Sequence, residues 1–110
     1  MKEWYKEETT KILSYQIPLI NQNISVSYNK VTVKYLKSKW GSCSNKKNLN
    51  FHYMLSSLPV NIMNYIIVHE LVHLIEFNHS ERFWDLVKLY DPNYKEHTGL
   101  LKIYNDILCF

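Results

Sequence analysis

Glycine and proline are scarce here, with 2 and 3 among 110 residues. That scarcity excludes a linker-rich or low-complexity chain. Cysteine is scarce as well. Cys43 and Cys109 cannot make a disulfide framework, and they lack paired zinc-ligand spacing. No apolar run approaches the roughly 18 residues of a membrane-spanning helix. The N-terminal MKEWYKEETTK has no apolar centre of the kind a signal peptide needs. A reducing cytoplasm is the expected location, with no membrane partner. Charge of one sign is also lacking, because the formal net charge is only +3. Lys30, Lys34, Lys37, Lys39, Lys46 and Lys47 cluster ahead of the histidines. They read as a solvated face rather than a phosphate-binding patch.

What is present is apolar and aromatic. Hydrophobic residues make up 46% and aromatics 15%, including nine tyrosines. This suits one modest core rich in rings, and residues 1–110 are expected to form one domain. Trp4, Tyr5, Ile12, Leu13 and Tyr15 suggest a helix over residues 2–16 that ends before Pro18. Period-two alternation over residues 24–28 and 31–35 predicts two strands joined at Asn29-Lys30. Gly41 opens a loop in this reading, and residues 49–52 form a third strand. Pro59 suits the first turn of a long helix reaching Phe77. Ser80 should cap another helix, which stops at Asp91-Pro92, and residues 100–110 should form a last amphipathic helix. The expected class is α+β, with a small, mainly antiparallel sheet lying over a histidine-bearing helix.

That helix carries the chemistry. His69-Glu70-Leu71-Val72-His73 is an HExxH pattern. Residues four apart on a helix stand about 6 Å apart along the axis and about 40° around it. Two imidazoles so placed can share one zinc ion. Glu70, one position on, is turned about 100° and points beside the metal, where it could exchange protons with an attacking water. A catalytic zinc needs a third protein ligand and an open position. His79 would lie about 15 Å along a continued helix from His69, so it can join only if the helix ends near Asn78 and the chain turns back. Asn78 and Ser80 are residue types suited to that junction. A chance HExxH is expected in roughly one such chain in a hundred. A purely structural zinc site is disfavoured, since such sites are closed by four ligands and rich in Cys. His52 and His97 are left over and read as surface residues, with a fourth ligand or an oxyanion donor as the sharper alternatives. Tyr94 reads as a ring packed under a loop, with an oxyanion donor as the sharper alternative.

Several linked stretches resemble the YgjP-like metallopeptidase family. They are Trp40-Gly41-Ser42-Cys43-Ser44, Leu49-Asn50, Leu58-Pro59, the run from Tyr65 through His69 and His73 to Leu74, Asn78-His79-Ser80, and Phe83-Trp84. In its shortness the chain also resembles the minigluzincins, minimal catalytic domains akin to those of some membrane metallopeptidases and of SprT-like proteases. The resemblance implies a zincin-like fold with one zinc per chain, held by His69, His73 and His79. It implies Glu70 as general base and acid, and a peptide or protein substrate. An edge strand near Asn50, Phe51 and His52 would align that substrate by backbone pairing. The resemblance further implies latency, with residues 98–110 covering the cleft of their own chain or of a partner in a homodimer. The apolar ending Ile107-Leu108-Cys109-Phe110 would need such cover.

Two other readings use the same residues. One is a metal-dependent nucleotide pyrophosphatase on the same scaffold. Three imidazoles suit zinc better than a hard cation, and no Gly-rich phosphate loop is present. The other is a nucleic-acid-associated binding module using the sheet-region lysines with Tyr28, Tyr35 and Trp40. The mild charge does not demand it.

Overall fold

The computed structural model describes residues 2–37 and 39–107. Its first element is a long helix, α1 (Lys2–Ile24), with Pro18 inside it. Thr9, Leu13 and Ile17, four residues apart, face inward and are almost wholly buried, as is Ile24 in the last turn. The helix was expected to end before Pro18 and does not. A mid-helix proline costs about 3 kcal/mol through the lost N–H and its steric clash. Burial of Ile17 and Ile24 on either side offsets that cost. The helix ends where Ser25 turns left-handed at φ 58°. There the Asn21 carboxamide clasps Val26, donating to its carbonyl at 2.8 Å and accepting from its N–H at 3.0 Å. Residues 24–28 are therefore a helix end and a loop, not the expected strand.

The sheet has three strands: β1 (Lys30–Lys34), β2 (Gly41–Cys43) and β3 (Asn48–His52). Their order is β1-β3-β2. β1 runs parallel to β3, with Lys30 opposite Asn48 and Lys34 opposite His52. β2 pairs with β3 in the antiparallel sense, with Ser42 opposite Asn50. The sheet is thus mixed. From β1 the chain crosses to the far edge, forms β2, and returns through a tight turn into the middle. Ser44 holds that turn by accepting from the N–H groups of Lys46 and Asn48, and Lys47 takes φ 63°. Gly41 starts a strand instead of a loop.

Leu49 and Phe51 point from β3 into the core and are fully buried. A 3-10 turn (Tyr53–Ser57) follows, capped by His52. Thr9 ties α1 to this turn, donating to the Tyr53 carbonyl and accepting from the Ser56 N–H. Then comes α2 (Val60–Val72), buried around most of its circumference by residues that include Ile62, Ile66, Ile67 and Leu71. It ends five residues short of Phe77, in a turn over residues 73–75. Helices α3 (Glu81–Tyr90) and α4 (Tyr94–Ile107) complete the described chain. The last helix starts six residues earlier than expected. The apolar positions Leu108, Cys109 and Phe110 lie outside the described residues. No described helix is long and apolar enough to cross a membrane.

Candidate active site

The site begins with the burial of α2. A helix packed on nearly every side is held rigidly, so His69 and Glu70 inherit a fixed backbone. Just past its end, His73 takes the C-cap position, with its N–H on the His69 carbonyl at 3.3 Å. Two further bonds tighten the exit, Leu74 N–H to Leu71 and Ile75 N–H to Val72. The chain then runs without helix to Ser80, whose hydroxyl accepts from the Phe83 N–H at 3.3 Å and starts α3. His79 stands one residue before that cap. The early end of α2 gives the chain room to double back.

The return brings three imidazoles together. His69, His73 and His79 each offer a nitrogen within 4.8 Å of the others'. The Nε2 atoms of His73 and His79 are 3.1 Å apart. Two nitrogens bound at 2.0–2.1 Å to one tetrahedral zinc would stand about 3.3 Å apart. That pair therefore fits a zinc ion in spacing, and the trio fits it in donor chemistry. Burial pushes the His73 imidazole below its ordinary pKa, against the opposing pull of the Glu70 charge. A neutral ring keeps its lone pair free for a metal.

Glu70 is only 5% exposed. Its Oε2 lies 3.3 Å from His69 Nδ1. Gly41 makes room above it, because a Cβ there would stand 3.1 Å from Glu70 Cγ and 3.2 Å from Oε2. Burial, aided by the Glu70 charge, pushes the neighbouring Cys43 thiol up to about 11. A cleft of about 210 Å³ opens beside the carboxylate, with Trp40 and Gly41 on one wall and Leu101 and Asn105 of α4 on the other. Trp40 Nε1 donates to Asn105 Oδ1 at 2.7 Å across it.

Asn50, Phe51 and His52 do not form an edge. They lie in the central strand, whose backbone pairs with β1 and β2, so no substrate can pair with it. The local pattern showed a strand but not its neighbours. Asn50 donates to Ser42 Oγ at 3.2 Å, and Phe51 is core. His52 is buried, not on the surface, and its Nδ1 accepts from the Met54 N–H. His97 is likewise buried, with Nδ1 2.7 Å from Asp91 Oδ2. Tyr94 is a half-buried ring stacked on Trp84 at 5.7 Å. Arg82 faces Glu76 at 3.6 Å. The sequence reading gave no role to Gly41 as a spacer or to Asn105 as a partner of Trp40. A glycine in a strand often marks a close approach, but β2 is only three residues long and Gly41 reads as a loop residue in the sequence.

The family model described as YgjP-like, metallopeptidase domain, matches residues 1–104. Two solved structures are similar. One is the metallopeptidase zymogen of Pyrococcus abyssi abylysin, at 21% identity and TM-score 0.75, covering 84% of this chain and 93% of that one. The other is the metallopeptidase zymogen of Methanocaldococcus jannaschii jannalysin, at 27% identity and TM-score 0.68, covering 86% and 96%. The first likeness is one of fold. No curated protein matches the sequence.

Proposed function

This chain belongs to the YgjP-like metallopeptidase family, and from that premise we propose that it is a zinc-dependent peptidase with His69, His73 and His79 as ligands and Glu70 as general base and acid. The convergence of three imidazole nitrogens within 4.8 Å carries the reading. Zinc, when bound, supplies a Lewis acid that makes water more acidic and polarises the scissile carbonyl. The protein's own part is proton traffic and positioning. Glu70 takes a proton from the attacking water on its carboxylate and returns it to the leaving amine. Its burial under Gly41 limits the positions that carboxylate can take. β2 is the open edge beside Glu70 and replaces β3 as the strand that aligns an extended substrate.

The same reading includes a latent state. Leu101 and Asn105 line the cleft that holds His69 and Glu70, and the Trp40–Asn105 bond pins them there. An extended peptide cannot fill that cleft while α4 stays docked. The nucleic-acid reading gains nothing from the fold. Lys30, Lys46 and Lys47 sit at one end of the sheet and Lys34 at the other, about 13 Å along β1.

Metal analysis with a peptide-library cleavage assay tests the proposal, on the wild type and on Asn105→Ala, which loosens the cover. One zinc per chain is expected. Glu70→Ala should keep zinc and lose cleavage, and His79→Ala should lose zinc. Cleavage by Glu70→Ala, or full zinc content in His79→Ala, overturns it.

A further inference from the structure

His79 is the least supported of the three imidazoles. His69 stands on α2 and His73 closes it, but His79 is exposed and sits in a segment without regular structure. A loop histidine free to rotate would have to be ordered each time a metal bound, at a cost in affinity. Aromatic rings supply the order. Phe83, fully buried, lies under all three imidazoles, with centroids 5.0, 4.4 and 5.0 Å from His69, His73 and His79. Trp84 lies nearly parallel to His79, at 5.9 Å and 22°. Tyr94 lies nearly parallel to Trp84 in turn, at 5.7 Å and 23°. The three rings form a ladder from the loop, through α3, to the first residue of α4.

The far end of the ladder is anchored. Tyr94 N–H bonds to the Asp91 carbonyl at 3.0 Å, and His97 N–H to the Asn93 carbonyl at 3.1 Å. His97 Nδ1 holds the Asp91 carboxylate at 2.7 Å, closing the corner between α3 and α4. One turn on, Thr98 donates to the Tyr65 hydroxyl of α2 at 3.0 Å. The helix that carries Tyr94 also carries Leu101 and Asn105, which line the cleft.

We propose that Trp84 and Tyr94 are positioning residues for His79, and that their stack couples metal binding to the docking of α4. This rests on the zinc reading above. Neither ring touches the reacting atoms; Trp84 fixes the plane of the third ligand, and Tyr94 fixes Trp84. Because linkage is reciprocal, what steadies His79 through the stack must also steady the start of α4. Zinc binding therefore tightens the cover over the cleft, and release of α4 loosens the third ligand.

The test measures zinc affinity by competition with a chromophoric chelator, the visible spectrum of the cobalt-substituted protein, and hydrogen exchange over residues 94–98 with and without zinc. In the wild type, zinc should slow exchange in those residues. Trp84→Leu keeps apolar bulk but removes the plane; it should weaken zinc binding 10- to 100-fold, alter the cobalt spectrum and abolish the zinc-dependent protection. Trp84→Phe should recover most of the affinity. Tyr94→Leu, at a half-buried position, should weaken binding several-fold, whereas Tyr94→Phe should not. Wild-type affinity and spectrum in both leucine variants overturn the proposal, as does zinc binding that leaves exchange at residues 94–98 unchanged. Failure of the wild type to bind zinc at all overturns the peptidase reading instead, so the two failures are separable.

Discussion

A Cβ on Gly41 would stand 3.2 Å from Glu70 Oε2, closer than ordinary van der Waals contact. The third neighbour is the Asn50 backbone carbonyl at 3.3 Å, fixed within the central strand. Only the Glu70 side chain can give way. Gly41→Ala should therefore displace the carboxylate by a few tenths of an ångström while leaving the histidines in place. Turnover should fall at least tenfold, with zinc content unchanged and stability lowered by about 1 kcal/mol. Metal analysis beside a kcat measurement checks this, and unchanged kcat would refute the spacing argument.

The Trp40–Asn105 bond spans the cleft at 2.7 Å. Its removal by Asn105→Ala should cost roughly 1 kcal/mol of α4 docking. That energy corresponds to about fivefold more of the undocked form. Amide exchange over residues 101–105 should speed up by that factor, and peptide cleavage should rise with it. Faster exchange without any gain in cleavage would separate α4 from latency.

The Cys43 thiol, pushed up to about 11, gives a test at alkaline pH. Near pH 8 about a tenth of a thiol with the ordinary value of 9.0 is thiolate, against about one part in a thousand for Cys43. In a Cys109→Ser background, iodoacetamide should modify the folded protein about a hundredfold more slowly than the unfolded chain. The rate should climb about tenfold per pH unit until near 11. The stability sign follows from the same shift. Between about pH 9 and 11 the folded state keeps a proton that the unfolded state has lost, so stability falls as pH rises. Cys43→Ala should flatten that component of the decline, as read from urea midpoints across the window.

The HExxH helix was legible because its information is local. His69 and His73 are four residues apart, and helical geometry alone brings them together. The return of His79 was legible because Asn78 and Ser80 are junction residues, although α2 ends at Val72 rather than Phe77. The sheet was less legible. β2 is three residues long, too short for a period-two pattern to register. The parallel pairing of Lys30 with Asn48 depends on a partner 18 positions away, about which local alternation says nothing. Residues 24–28 alternate like a strand, but tertiary burial of Ile24 carries α1 as far as that residue, and 25–28 form a loop. The proline rule failed at Pro18 for the same reason, since packing outweighed a local penalty.

Ser80 turns the loop into α3, and its hydroxyl accepts from the Phe83 N–H. This bond fixes two things at once. It sets the first turn of the helix that carries Phe83 and Trp84, and it sets the direction of the backbone one residue after His79. Ser80→Ala should cost about 1 kcal/mol of cap energy. The loss should fall on the pre-organised state of His79, because α3 remains packed through Phe83 and Val87. Zinc affinity should then weaken roughly fivefold. Ser80→Asn offers the same acceptor at the same place and should restore it, and asparagine does not compete for the metal as a carboxylate would. Competition titration of the three proteins decides the matter. Equal affinity in the alanine variant would mean that the rings alone hold the third ligand and that the cap serves only the helix.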